Sequence, residues 1–403
     1  MKYLRSILLL LSLCLLPGLS AQSANLPKPK AEYVIVVSCD GFRWDYPEKY
    51  KSPTIEEMGR TGVRADMLPS FPASTFPNHY AIATGLVPDH NGLVNNSFWA
   101  ADLGKYYSMS SPERNNPAFY LGEPIWNTAE RQGVKAGIHY WVASEYLIGG
   151  RQASYWKRYG VDMLSYEARV DSTLALLDKP MSERPRLLML YFDEPDHTGH
   201  EFGPDDPRVG VEVRRVDKMV ARLRDGLKKK GLKDKVDLIV LSDHGMTGIS
   251  PDRCVKPHDH IKKSWYDRIT TGTPTSIFTK NEACRDSVLA AFADVEHVSV
   301  YKKEEVPAEL NYGTSPRIGD VVVIPECGWQ LVDKPRKKRG AHGYRPSDRD
   351  MQAIFRAEGP DFKRGFRCPQ FRNVSVYPLV CHLLGIEPSP NDGAIEEVAP
   401  MLR

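Results

Sequence analysis

Short unbroken apolar runs alternate along this chain with longer amphipathic ones, and the short runs stop abruptly at acidic residues. Tyr33-Val-Ile-Val-Val37 leads to Asp40, Leu187-Leu-Met-Leu-Tyr-Phe192 to a carboxylate cluster, and Val236 to Leu241 to Asp243. Continuous apolar runs of this length suit strands buried on both faces, as in a parallel sheet. Val211 to Lys230 instead spaces Val213, Val216, Met219, Val220, Leu223 and Leu227 near a helical period, with Gly231 as a stop signal. The alternation predicts an α/β fold, a three-layer sandwich with a mostly parallel central sheet. Ligands bind such sheets beyond the carboxyl ends of the strands, which is where the acidic residues fall.

Leu86 to Arg114 is rich in Asn, Ser and aromatics and reads as an irregular excursion over the sheet. The stretch from 300 to 340 has weaker patterning and reads as a peripheral subregion of one catalytic domain over 30–403. At the start, Lys2 and Arg5 precede an apolar run from Ile7 to Leu16, then Pro17, Gly18 and small residues. That layout predicts a signal peptide over 1–24, cleaved between Ser20 and Ala24, and an exported protein, periplasmic or secreted, with no transmembrane anchor in its mature form.

Composition narrows the classes. With 41% apolar and 26% charged residues the chain can build a large core, and a formal charge of +3 gives no support for a stable nucleic-acid complex. Six cysteines remain once Cys14 leaves with the leader. Cys39 and Cys381 sit in apolar runs as small hydrophobes, while Cys254, Cys284, Cys327 and Cys368 are the better disulfide candidates. Lys334-Pro-Arg-Lys-Lys-Arg339 is the one notable basic cluster, read first as a solvated loop and second as an anion-steering patch.

Chemistry concentrates in Ser38-Cys-Asp-Gly41, Asp193-Glu-Pro-Asp-His-Thr-Gly-His200, Ser242-Asp-His-Gly-Met246 and Gly340-Ala-His-Gly-Tyr344. Carboxylate oxygens and imidazole nitrogens together are the ligand set of hydrolytic zinc. Any one cluster alone is more often a hydrogen-bonded structural pair. The four-residue spacing puts Asp196 and His200 on one helical face, and Asp193 and His197 compete for that role at the same spacing.

Together with Phe71-Pro-Ala-Ser-Thr-Phe-Pro-Asn-His79, Gly122-Glu-Pro-Ile-Trp126 and Cys381-His-Leu-Leu-Gly-Ile-Glu-Pro-Ser-Pro-Asn391, these clusters resemble the nucleotide pyrophosphatase/phosphodiesterase family of the alkaline phosphatase superfamily. The resemblance runs from about Tyr33 to Asn391. It implies two Zn2+ ions, one held by Asp196, His200 and His342, the other by Asp40, Asp243, His244 and the Thr75 oxygen. It selects Asp196 and His200 over the competing pair. It makes Thr75 the nucleophile, and pairs the Asn96 amide with the Phe76 N–H as donors to a phosphate oxygen. Phe76, Tyr159 and Tyr191 match positions flanking a nucleoside, with Tyr155 and Trp156 as nearby alternatives, and Arg114 stands where a distal phosphate could be met. In isolation Thr75 reads as a helix N-cap and each aromatic as core.

The implied activity is hydrolysis of nucleotide or other small phosphodiester substrates to nucleoside 5'-monophosphates through a covalent threonine intermediate. The same metal site supports choline-phosphodiester, lysophospholipid or phosphomonoester cleavage. Lys157 and Arg158 are the thin hint toward monoesters, which need extra cations. A sulfatase is disfavoured because Thr75-Phe-Pro-Asn lacks the arginine of that precursor motif. A non-enzymatic zinc-containing binding protein would show a lost ligand or nucleophile, and all positions are intact.

Overall fold

The computed structural model describes residues 26–403, so the signal-peptide reading over 1–24 lies outside the described residues. The three apolar runs form strands Tyr33–Cys39, Leu187–Phe192 and Val236–Leu241, every residue of which is buried. They lie side by side and parallel, with Tyr33–Cys39 in the middle. Ala136–His139 and then Tyr155–Lys157 extend the parallel block on one side. On the other, Ala353–Glu358 runs antiparallel between Val236–Leu241 and Val63–Leu68, and two short strands pair with the latter to complete nine.

Side-chain alternation divides the interior into two cores, one on each face of the sheet. Val34, Val36, Leu187, Met189, Ile239 and Leu241 face helices Ile125–Arg131 and Val376–Leu384. Ile35, Val37, Leu188, Leu190, Leu238 and Val240 face helices Pro53–Thr61, Tyr166–Leu176 and Pro207–Lys229. This is the three-layer sandwich expected for a sheet with no solvent face. Helix Pro207–Lys229 buries the predicted apolar stripe but begins four residues earlier than periodicity indicates. Asp206 caps it by accepting from the Arg208 N–H, and Pro207 sits where no amide partner is needed.

The excursion at 86–114 is less irregular than its composition reads. Ser97–Ala100 and Lys105–Ser108 form an antiparallel hairpin, with Phe98 stacked on Tyr107 at 4.9 Å. Its aromatics therefore pack as cross-strand pairs, a pattern too short for periodicity to reveal. A separate four-stranded antiparallel sheet contains Tyr266–Thr270, Thr275–Thr279, Val321–Pro325 and Val298–Lys302, overlapping the stretch read as peripheral. All six described cysteines are free thiols, so the disulfide expectation for Cys254, Cys284, Cys327 and Cys368 is corrected. Cys254 and Cys368 instead direct their sulfurs to the carbonyls of Val332 and Glu397. Among the described residues no helix is long and apolar enough to cross a membrane.

Candidate active site

The parallel strands deliver their terminal polar residues to one edge. Asp40 follows Tyr33–Cys39, Asp193 to Asp196 follow Leu187–Phe192, and Asp243 and His244 follow Val236–Leu241. Gly41 turns with φ +64°, and a Cβ there would stand 2.8 Å from the Asp196 Cβ. A residue without a side chain is thus what lets Asp196 approach Asp40.

Two donor groups result. In the first, His200 Nε2 lies 3.5 Å from Asp196 Oδ2, and His342 Nε2 lies 3.7 Å from Asp196 Oδ1 and 3.1 Å from His200 Nε2. In the second, His244 Nε2 is 3.1 Å from Asp243 Oδ2, 3.5 Å from Asp40 Oδ1 and 3.1 Å from Thr75 Oγ1. The Nδ1 atoms of His200, His244 and His342 each meet a backbone carbonyl, of Gly340, Gly245 and Ala73, at 2.8, 2.8 and 2.9 Å. A carbonyl can only accept, so each Nδ1 carries the proton and each Nε2 lone pair is free to face inward. Asp40 Oδ1, Asp196 Oδ1 and Asp243 Oδ2 are buried with no hydrogen-bond partner. Orphaned carboxylate oxygens beside inward imidazole nitrogens are costly without a cation and fit zinc in donor type.

Electrostatics point the same way. Burial, then Asp243 and Asp196, push the Asp40 carboxyl well above the usual carboxylate range. Burial also opposes the charge on Asp243, but His244 and His79 outweigh it and hold that carboxyl well below the range. Burial, then His244 and His200, keep His342 neutral, the form that ligates. Of the competing pair, Asp193 is occupied by the Tyr166 hydroxyl at 3.1 Å and by Arg169 at 3.2 Å, while His197 is exposed and joins neither group.

Thr75 is the first residue of helix Thr75–Thr84 and Ser74 holds the N-cap position, which corrects the reading of Thr75 as the cap. The helix N-terminus faces the cleft, favourable for phosphate. The Phe76 N–H donates to Asn96 Oδ1 at 2.9 Å, so the two expected phosphate donors are bonded to each other here and Asn96 Nδ2 is the donor left over.

A cleft of about 720 Å³ opens over these groups, and Phe76, Asn96, Arg114, Tyr159 and Tyr191 all line it. Tyr159 is 36% exposed and meets Tyr191 edge-on at 5.6 Å. Tyr191 is buried, as the core reading expects, yet its hydroxyl donates to Asp40 Oδ2 at 2.6 Å. The Arg114 guanidinium donates to the Met109 carbonyl. Tyr155, Trp156, Lys157 and Arg158 stand outside the lining, whereas Arg336 and Lys338 of the basic run belong to it. Sequence reasoning gave His79 no role. It is fully buried, with Nε2 2.9 Å from Ser38 Oγ and Nδ1 3.0 Å from the Thr75 carbonyl and 3.3 Å from Asp243 Oδ2. Its position four residues after Thr75 on one helix face was the available signal.

The model of the type I phosphodiesterase/nucleotide pyrophosphatase family matches residues 34–345. Bovine ectonucleotide pyrophosphatase/phosphodiesterase family member 3 is 36% identical over 374 residues, covering 89% of this chain and 43% of that protein. A venom phosphodiesterase of Crotalus durissus collilineatus is 36% identical over 381 residues, covering 89% and 45%. The chain thus spans less than half the length of these two relatives. Among solved structures, murine ectonucleotide pyrophosphatase/phosphodiesterase 5, in an inactive form bound to AMP, superposes with a TM-score of 0.87 at 32% identity, covering 92% of this chain and all of that one. The chain belongs to the type I phosphodiesterase/nucleotide pyrophosphatase family.

Proposed function

We propose that this protein is a zinc-dependent nucleotide pyrophosphatase/phosphodiesterase that releases nucleoside 5'-monophosphates through a covalent intermediate on Thr75. The observation that carries the reading is the Thr75 hydroxyl, which stands at a helix N-terminus 3.1 Å from His244 Nε2, beside three orphaned carboxylate oxygens. Asp196, His200 and His342 would hold one Zn2+, and Asp40, Asp243 and His244 the other together with the Thr75 oxygen. When bound, the ions supply Lewis acidity that favours the Thr75 alkoxide and the departing oxygen.

The Thr75 hydroxyl gives up its proton to solvent and Oγ attacks phosphorus; the Oγ–P bond forms as the P–O bond to the leaving group breaks, its electron pair staying on the leaving oxygen. Water then cleaves the Thr75–phosphorus ester and releases the nucleoside 5'-monophosphate. Asn96 offers a neutral donor to a nonbridging oxygen, which suits a monoanionic diester better than a dianionic monoester. Phe76 and Tyr159 offer faces for a base, and Tyr191 fixes Asp40 by the bond to its hydroxyl. Arg114 lines the cleft and would meet a distal phosphate. The same reading puts the enzyme outside the cytoplasm, supported by the leader pattern and by kinship with venom phosphodiesterases.

The test is a substrate panel with one variant. A p-nitrophenyl ester of a nucleoside 5'-monophosphate should exceed p-nitrophenyl phosphate and p-nitrophenyl phosphorylcholine by at least roughly tenfold in kcat/KM, equivalent to about 1.4 kcal/mol. Thr75→Ala should abolish turnover while zinc content stays near that of the parent protein. A preference for the simple monoester, or appreciable turnover by the alanine variant, overturns the assignment.

A further inference from the structure

Asn96 sits on the excursion that leaves the main sheet after helix Thr75–Thr84, and that excursion is seated largely on the second sheet. Leu93, Phe98 and Phe119 share an apolar core with Ile318, Val322 and Ile324, at and just before strand Val321–Pro325. Apolar contact is non-directional and does not by itself fix the register of such an arm. Directional bonds are what set where Asn96 stands.

Those bonds come from one loop, 312–317. Arg317 is 1% exposed and every N–H of its guanidinium is used. Nη1 donates to the carbonyls of Gly92 at 2.8 Å and Phe119 at 2.6 Å, and Nη2 to the Ala118 carbonyl at 3.0 Å and Asp102 Oδ2 at 2.9 Å. Nε donates to Asp102 Oδ1 at 3.0 Å. A single side chain thus grips the arm where it departs, at the turn of its hairpin and where it returns. Asp89 holds the same loop with the polarity reversed. Its carboxylate accepts from the N–H groups of Gly313, Thr314 and Ser315 at 3.2, 2.9 and 2.9 Å, and from the Thr314 hydroxyl at 2.6 Å. The Tyr312 hydroxyl donates to the Val94 carbonyl at 3.3 Å, two residues before Asn96.

The grip depends on close approach. Gly92 has φ +87°, and a Cβ there would stand 2.6 Å from Arg317 Nη1 and 2.5 Å from the Phe119 carbonyl oxygen. Arg317, Asp89 and Asp102 all stand outside the cleft lining, so any effect they have on the reaction passes through the arm. At its cleft end Asn96 Oδ1 accepts the Phe76 N–H, Asn95 Oδ1 accepts the Asn96 N–H at 2.8 Å, and Asn95 Nδ2 donates to the Thr273 carbonyl at 3.3 Å.

We propose that Arg317 is a positioning residue for the reaction, clamping the excursion so that the Asn96 amide stands beside the N-terminus of the Thr75 helix, where it meets the phosphate. The inference rests on the function proposed above. The task demands arginine, because an ammonium presents its donors from one point and cannot serve Gly92, Ala118, Phe119 and Asp102 together. With the clamp loosened the arm keeps its apolar core but no longer holds Asn96 in one place, and a misplacement of about 1 Å can cost on the order of 100-fold in rate.

The experiment is a double-mutant cycle on the zinc-loaded enzyme, read as kcat/KM on the p-nitrophenyl ester of AMP. Arg317→Lys keeps a positive charge beside Asp102 and removes the planar fork. It should lower kcat/KM by at least about tenfold in the parent enzyme, but by less than about twofold when Asn96→Ala is already present, because the group it acts through is then gone. Zinc content should match the parent in every variant. Asp102→Asn, a milder change at the same grip, should cost about fivefold in the parent and nothing measurable beside Asn96→Ala. That second cycle decides alone if Arg317→Lys fails to fold. No loss in the parent, or equal losses in both backgrounds, overturns the positioning role and leaves the proposed function standing. Full activity of Asn96→Ala overturns the donor role given to Asn96 in that function, and the positioning role with it.

Discussion

The Tyr191 hydroxyl donates to Asp40 Oδ2 at 2.6 Å, which leaves Asp40 Oδ1 as the oxygen facing His244, with no other partner. The tyrosine therefore decides which carboxylate oxygen is presented to a cation. Partners that orient a ligand typically change metal affinity by about 10–100-fold when removed. Tyr191→Phe should weaken zinc binding by about tenfold, read by competition with a chromogenic chelator. Unchanged affinity would reduce Tyr191 to a packing residue.

His79 supports Asp243 from the far side while bonding Ser38, in a space that admits no solvent. Truncation strands both partners in the interior, at a cost of about 1–3 kcal/mol for each unsatisfied group. His79→Ala should lower the stability of the metal-free protein by that order in denaturant unfolding, and reduce its zinc content as well. Loss of zinc with unaltered metal-free stability would instead make His79 a direct ligand.

Tyr159 reaches the cleft rim as a partly exposed ring beside Tyr191. Stacking on a base contributes about 1–3 kcal/mol in nucleic-acid analogues. Tyr159→Ala should therefore depress cleavage of a nucleotide ester by several fold more than cleavage of p-nitrophenyl phosphate. Equal losses on the two substrates would remove Tyr159 from nucleoside recognition.

Away from the catalytic edge, Asp237 accepts the Asp361 N–H at 3.2 Å through Oδ1, while Oδ2 has no partner. Burial, then the Asp361 side chain, push its carboxyl up to about 8. In the unfolded chain this group ionises near pH 4, so between about 4 and 8 the native state binds the extra proton. The stabilisation is complete at the acid end and is lost as pH rises through 8. Asp237→Asn should therefore gain in Tm relative to the parent protein between pH 5 and pH 9. A constant difference across that range would show that Asp237 does not titrate there.

Much of this architecture is legible in the chain because fully buried parallel strands leave a strong mark. Continuous apolar runs ending in Asp40 and Asp243 report both the sheet and its active edge. The motifs around Asp196, His200, His244 and His342 carry their own spacing, and the structure brings those residues together. What stayed hidden depends on distant pairing. Nothing local shows that Ala353–Glu358 runs against its neighbours, or that Cys254 meets the Val332 carbonyl instead of a second sulfur. His79 reads as one more residue of a motif until the fold puts Asp243 behind it. The basic run reads as a solvated loop because exposure and orientation toward a cleft are indistinguishable in one dimension.

The ligands of the first donor group come from one helix and from a loop some 140 residues later, and those of the second from strands separated by about 200. Before these segments meet, the chain owns only two local pairs, Asp196 with His200 and Asp243 with His244, and two donors hold a cation weakly. On the proposed two-metal reading, metal acquisition is then a late event in the life of each molecule. On that reading the sheet closes first, and cations entering the finished receptacle would lock an arrangement whose carboxylates otherwise repel one another.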